Sequence, residues 1–117
     1  MNDYFEHDDD NSLSDLLERF DNMLSEDRHY FFDVEEYEDL IDHYLGMNEL
    51  GKCATAVHLA IEQYPGHSGI LIRQAQLLVS SNKAEKALRV LARVENMDPT
   101  NSEIYITKWA NYSQLKR

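Results

Sequence analysis

Three side chains in the middle of the chain are spaced to act together. If residues 34–45 are helical, Glu36, Asp39 and His43 fall at i, i+3 and i+7 on one face. Carboxylate and imidazole donors in that pattern suit a divalent metal. An acid-rich helix also produces such triples as an ordinary solvated face. That reading is preferred, and a metal-binding helical protein is the weaker alternative. The five histidines, His7, His29, His43, His58 and His67, lack the paired spacing of a zinc motif. Cys53 could act as a nucleophile beside a histidine, yet it fills a small-residue slot in a helical pattern and reads as core. The sequence holds neither a glycine-rich phosphate loop nor a serine nucleophile elbow. The expectation is therefore no catalytic site, no metal and no cofactor.

The composition narrows the partners. The chain has 117 residues, 43% of them hydrophobic, which is one domain with a modest core. No apolar run approaches the roughly 18 residues of a membrane helix. The acidic amino terminus lacks the basic start and apolar core of a secretory signal. One cysteine excludes an internal disulfide and fits a reducing compartment, so a cytoplasmic location is expected. The net charge of −11 is unevenly placed: residues 1–50 carry 17 acids against two arginines, and the remainder five acids against nine basic residues. An acidic front half repels phosphate backbones, and neither nucleic acid nor membrane is expected as a partner.

These residues sit on elements that repeat. Glu36–Tyr64 aligns with Ile70–Asp98 at an offset of 34 residues, placing Tyr37 over Leu71, Ile41 over Ala75 and Tyr44 over Leu78. Cys53 then falls over Ala87, Val57 over Leu91, Ala60 over Val94 and Pro65 over Pro99. The offset continues to Tyr105, Trp109 and Tyr112. A period of this size marks stacked units that bury their apolar faces only against neighbours.

Residues 1–11 show no period and read as an acidic disordered arm. Residues 12–33 read as an amphipathic capping helix and an aromatic linker. Its stripe is Leu13, Leu16, Leu17, Phe20 and Leu24, Ser12 and Asp15 resemble a capping box, and Tyr30, Phe31 and Phe32 are expected to pack against the repeats. Residues 34–67 and 68–101 are two helix pairs, and 102–117 is the first helix of a third, incomplete unit with Tyr105, Trp109 and Tyr112 inward.

Residues 34–116 resemble the tetratricopeptide repeat, a helix–turn–helix unit of 34 residues. The family's large, small, aromatic, small, large, small and proline positions fall on Tyr37, Ile41, Tyr44, Cys53, Val57, Ala60 and Pro65, then on Leu71, Ala75, Leu78, Ala87, Leu91, Val94 and Pro99. Ile41 and Trp109 are large where the family is usually small, and Cys53 replaces alanine. The resemblance implies an all-α fold, a right-handed α-solenoid of antiparallel helix pairs. About two and a half repeats would follow one capping helix, as the amino-terminal part of a longer bacterial-type protein.

The same resemblance implies a non-catalytic protein–protein interaction scaffold, with first helices lining a groove. Its groove positions fall on Glu35, Glu38, Asp42 and Leu45, on Gly69, Ile72, Gln76 and Val79, and on Glu103, Ile106, Ala110 and Ser113. Such a groove is acidic at the front and mildly apolar behind, and suits a basic or basic-apolar peptide segment. The alternative is a structural amino-terminal segment of a longer array whose binding surface lies elsewhere. Self-association through Ile104, Tyr105, Trp109 and Tyr112, expected to stand exposed on the last helix, is a further expectation.

Overall fold

The computed structural model describes the backbone of residues 2–26 and 30–115, with side chains described from Ser12 onward. Among the described residues there are six helices and no strand: α1 Asn2–Glu26, α2 Val34–Gly46, α3 Leu50–Gln63, α4 Ser68–Ser80, α5 Ala84–Met97 and α6 Ser102–Leu115. None is long and apolar enough to cross a membrane.

The local chemistry at the helix ends repeats with the sequence. Asp33 caps α2 in a capping box with Glu36, and the ring Nδ1 of His67 accepts from the Ile70 N–H at the start of α4. Asn101 likewise accepts from the Glu103 N–H at the start of α6. All three residues are 34 apart in sequence. The turns after α2 and α4 also match. Asn48 and Asn82 have φ of 56° and 60°, and each is followed by an N–H that reaches back to a carbonyl five residues earlier, Glu49 to Tyr44 and Lys83 to Leu78. This is the left-handed helix end that glycine usually supplies and that asparagine tolerates. Pro65 and Pro99 stand just past α3 and α5, where a helix cannot continue.

Packing follows chain order. Each helix lies against the next, and in addition α2 touches α4 and α4 touches α6, whereas α3 and α5 do not meet. The helices α2, α4 and α6 thus form a closer layer than α3 and α5. Small buried residues stand at the close approaches: Cys53, Ala60, Ala75 and Ala87 are all fully buried. The Cys53 thiol lies 3.8 Å from the Ile41 carbonyl oxygen. Burial, with the nearby Asp42 charge adding to it, pushes that thiol up to about 11, which makes it a poor nucleophile.

The front of the stack is closed by rings. Phe20 on α1 lies 5.9 Å from both Phe32 and Tyr44, Phe32 lies 5.5 Å from Tyr37, and Tyr37 lies 6.2 Å from Tyr64, whose hydroxyl donates to the Phe32 carbonyl. Burial of such rings contributes area, and their edge contacts about 0.5–1.5 kcal/mol each.

Four expectations change. Helix α1 begins at Asn2, so the acidic segment 2–11 forms its leading turns rather than a disordered arm, and Ser12 lies inside the helix. The buried stripe of α1 is Leu16, Phe20 and Met23, with Leu17 half-buried and Leu13 and Leu24 exposed. Of the linker rings Phe32 is buried and Tyr30 half-buried, while Phe31 is 76% exposed. The largest change is in α6. Tyr105, Trp109 and Tyr112 hold the inward positions of the repeat but are exposed, as expected of a last helix with no partner following it, whereas Ile104, expected exposed with them, is fully buried with Thr107 and Asn111. The cause is geometric. In the first two units those three positions are covered by the second helix of the same unit, and α6 packs only on α4 and α5, which take its other side.

Candidate binding surface

The helices α2, α4 and α6 carry every predicted groove position, and the seam between α2 and α4 is built around one residue that the sequence did not single out. Arg73 on α4 has only 14% of its side chain exposed. Its Nε and Nη2 donate to the two carboxylate oxygens of Asp42 at 2.9 and 3.0 Å, and its Nη1 donates to Glu38 Oε2 at 2.8 Å and to the Gly69 carbonyl at 3.1 Å. The Asp42 contact is the two-pronged pairing that matches a guanidinium fork. Burial opposes the arginine's charge. The hydrogen bond to Asp42 and the fields of Asp42, Glu38 and Glu103 outweigh it and hold the guanidinium above its ordinary value.

Gly69 makes room for this arrangement. A Cβ there would stand 2.5 Å from Glu38 Oε2, so any larger residue pushes that carboxylate away. The rear seam has the same connections with neutral groups. Gln76, 34 residues after Asp42, donates to the hydroxyl of Thr107, 34 residues after Arg73, at 3.4 Å. Thr107 donates to the Glu103 carbonyl at 2.9 Å, as Arg73 does to Gly69.

The predicted groove residues are therefore divided. Glu35 and Glu103 are exposed, as are Ala110 and Ser113. Glu38 and Asp42 are engaged by Arg73. Leu45 is half-buried and packs on the front core. Ile72 is fully buried with Leu71, Val94 and Ile104, because α6 covers it, so it lies in the core rather than on the groove. Gln76 is half-buried, and so is Val79, whose carbonyl accepts from Gln114 at 2.6 Å. Ile106 is 68% exposed. Arg73 could have been noticed as the one charged residue of its helix, about one unit length from Glu38 and Asp42.

The candidate metal triple comes apart. The Glu36 carboxylate accepts from the Asp33 N–H at 3.1 Å and pairs with Arg19, and the His43 ring packs on Tyr44. Among the described residues no group of three acids, histidines or cysteines is placed to hold a metal. His7 and His29 lie outside the described side chains. In comparisons with known proteins, no family model, no curated protein and no solved structure matches this chain.

Proposed function

We propose that the chain is a non-catalytic protein-binding module of stacked, tetratricopeptide-like helix pairs, with α1 as its front cap. Its inner layer would take a basic-apolar peptide segment. The 34-residue recurrence of caps, turns and inter-helix hydrogen bonds supports the repeat reading. So does the contact of α4 with both α2 and α6 while α3 and α5 stay apart, since a layer drawn closer on one side curves the stack. A reducing, cytoplasmic setting accords with the single cysteine.

One observation carries the choice of ligand. Around Arg73 three carboxylates, Glu38, Asp42 and Glu103, act on one guanidinium, so that seam remains net acidic even with its internal cation in place. Ile106, one turn beyond Glu103, offers exposed apolar surface beside it. A segment with alternating basic and aliphatic side chains satisfies both.

The test reverses Glu35 and Glu103, which are exposed and not needed for packing. Titration calorimetry with a peptide of alternating lysine and leucine should show binding weakened by about tenfold or more in Glu35→Lys with Glu103→Lys, equivalent to roughly 1.4 kcal/mol. Binding unchanged by the double reversal sinks this reading.

A further inference from the structure

The outward face of α6 continues an interface that the molecule already builds twice. In the first unit Tyr37, Ile41 and Tyr44 share a core with Cys53, Val57 and Ala60 of α3. In the second, Leu71, Ala75 and Leu78 pack with Ala87, Leu91 and Val94 of α5. The residues 34 further on are Tyr105, Trp109 and Tyr112, and no described helix lies over them. Trp109 is 74% exposed. The surface is shaped for a helix running antiparallel to α6.

Charge says what kind of helix. At the front, Asp21 on α1 accepts from Lys52 in the first turn of α3 at 3.2 Å. Two repeat lengths after Asp21 stands Arg89, exposed on α5. Lys83, Lys86 and Arg89 line the cleft between the start of α5 and the end of α6 against a single acid, Glu85, with Leu115 closing it, so the cleft is net positive. None of these three cations is ion-paired to a described residue. The sign is thus inverted relative to the front, and a helix entering here needs acids in its first turn where α3 carries Lys52.

We propose that this face docks an amphipathic helix of a partner protein, with an alanine, leucine and valine stripe against Tyr105, Trp109 and Tyr112. Its acidic first turn lies against Lys86 and Arg89. The site is separate from the inner layer, so it stands or falls apart from the groove reading. A second copy of this chain is a poor occupant. Three rings of about 150–250 Å² each, partly exposed, offer on the order of 400 Å², half of the roughly 800 Å² per partner of a stable dimer. A rear-to-rear pairing would also set Lys83, Lys86 and Arg89 against their like. One helix covers an area of that size.

Trp109 is the single tryptophan, so its emission reports on this face directly. The probe is a synthetic amphipathic peptide with Ala, Leu and Val at the spacing of Ala87, Leu91 and Val94 and glutamates in its first turn. Its addition should shift the Trp109 emission to the blue and saturate. Tyr105→Ala with Tyr112→Ala should abolish the shift. Arg89→Glu should weaken the glutamate peptide about tenfold or more and favour a peptide with lysines in that turn. Absence of a saturating blue shift overturns the proposal, as does equal binding by Arg89→Glu. A blue shift that rises with protein concentration alone, with dimers in light scattering, assigns the face to a second copy and overturns it too.

Discussion

Among the described residues, aromatic side chains are distributed to opposite effect at the two ends of the stack. At the front, Tyr44, Phe20, Phe32, Tyr37 and Tyr64 touch in an unbroken line, because α1 lies across α2 and brings Phe20 between two rings. At the rear, Tyr105, Trp109 and Tyr112 occupy the same repeat positions as Tyr37, Ile41 and Tyr44, and they face solvent. An aromatic residue at a given repeat position is thus core or surface according to whether another helix covers it. Residue type alone does not decide.

The largest expected effect breaks this contrast at its centre. Phe20→Ala removes a fully buried ring with two aromatic neighbours and should cost about 3–5 kcal/mol, with α1 released from α2. Trp109→Ala removes a larger side chain and should change stability by less than about 0.5 kcal/mol. Urea denaturation of both variants measures the difference. Equal losses would mean that the rear rings are covered in solution.

The two ends also differ in how legible they were. The 34-residue echo places five of the six helices, because proline, small residues and caps recur together at Asp33, His67 and Asn101 and at Pro65 and Pro99. The buried positions of α2 followed, and on α4 those of Leu71 and Ala75, since each meets a helix whose own stripe can be read. The facing of α6 did not follow. The rings mark one side of this helix, whereas the buried side carries Ile104 with the polar Thr107 and Asn111, and only the position of α4 and α5 selects it. The candidate surface was legible as positions but not as pairings. Glu38 and Asp42 read as free acids because Arg73 lies on another helix, and Ile72 read as groove because nothing in its local pattern announces α6 above it.

A second test acts only on the front. The phenols of Tyr37 and Tyr44 are pushed up to about 12, first by burial, then by nearby acidic groups: Tyr64 and Glu62 for the one, Asp21 and Glu49 for the other. Their folded values lie above the unfolded value near 10, so the stability linked to them is fully present below about pH 10 and is lost as the pH rises through about 12. Cys53 adds a loss that begins near its ordinary 9.0 and runs through about 11. The urea midpoint should be flat in this respect up to about pH 9 and fall beyond it. Tyr37→Phe should flatten part of that fall. It should be near neutral at pH 7, since the Tyr37 hydroxyl has no hydrogen-bond partner among the described residues.

A last pair of variants compares the two inter-unit seams, which share positions and differ in charge. Arg73→Met removes the cation from between Glu38 and Asp42 while keeping the aliphatic stem. It leaves two carboxylates near each other, one of them partly buried, and should cost about 1–3 kcal/mol. Thr107→Val keeps the shape of the rear seam and removes one long hydrogen bond to Gln76 and one to the Glu103 carbonyl, so about 1 kcal/mol or less is expected. Salt separates the two more sharply than size. Repulsion between Glu38 and Asp42 is screened when the ionic strength rises from about 0.01 M to 1 M, as the Debye length falls from about 30 to 3 Å. The cost of Arg73→Met should therefore shrink across that range, and the cost of Thr107→Val should not move. Parallel salt dependence in both would show that the front seam is held by packing of the arginine stem and not by its charge, and would weaken the case that this face selects cations at all.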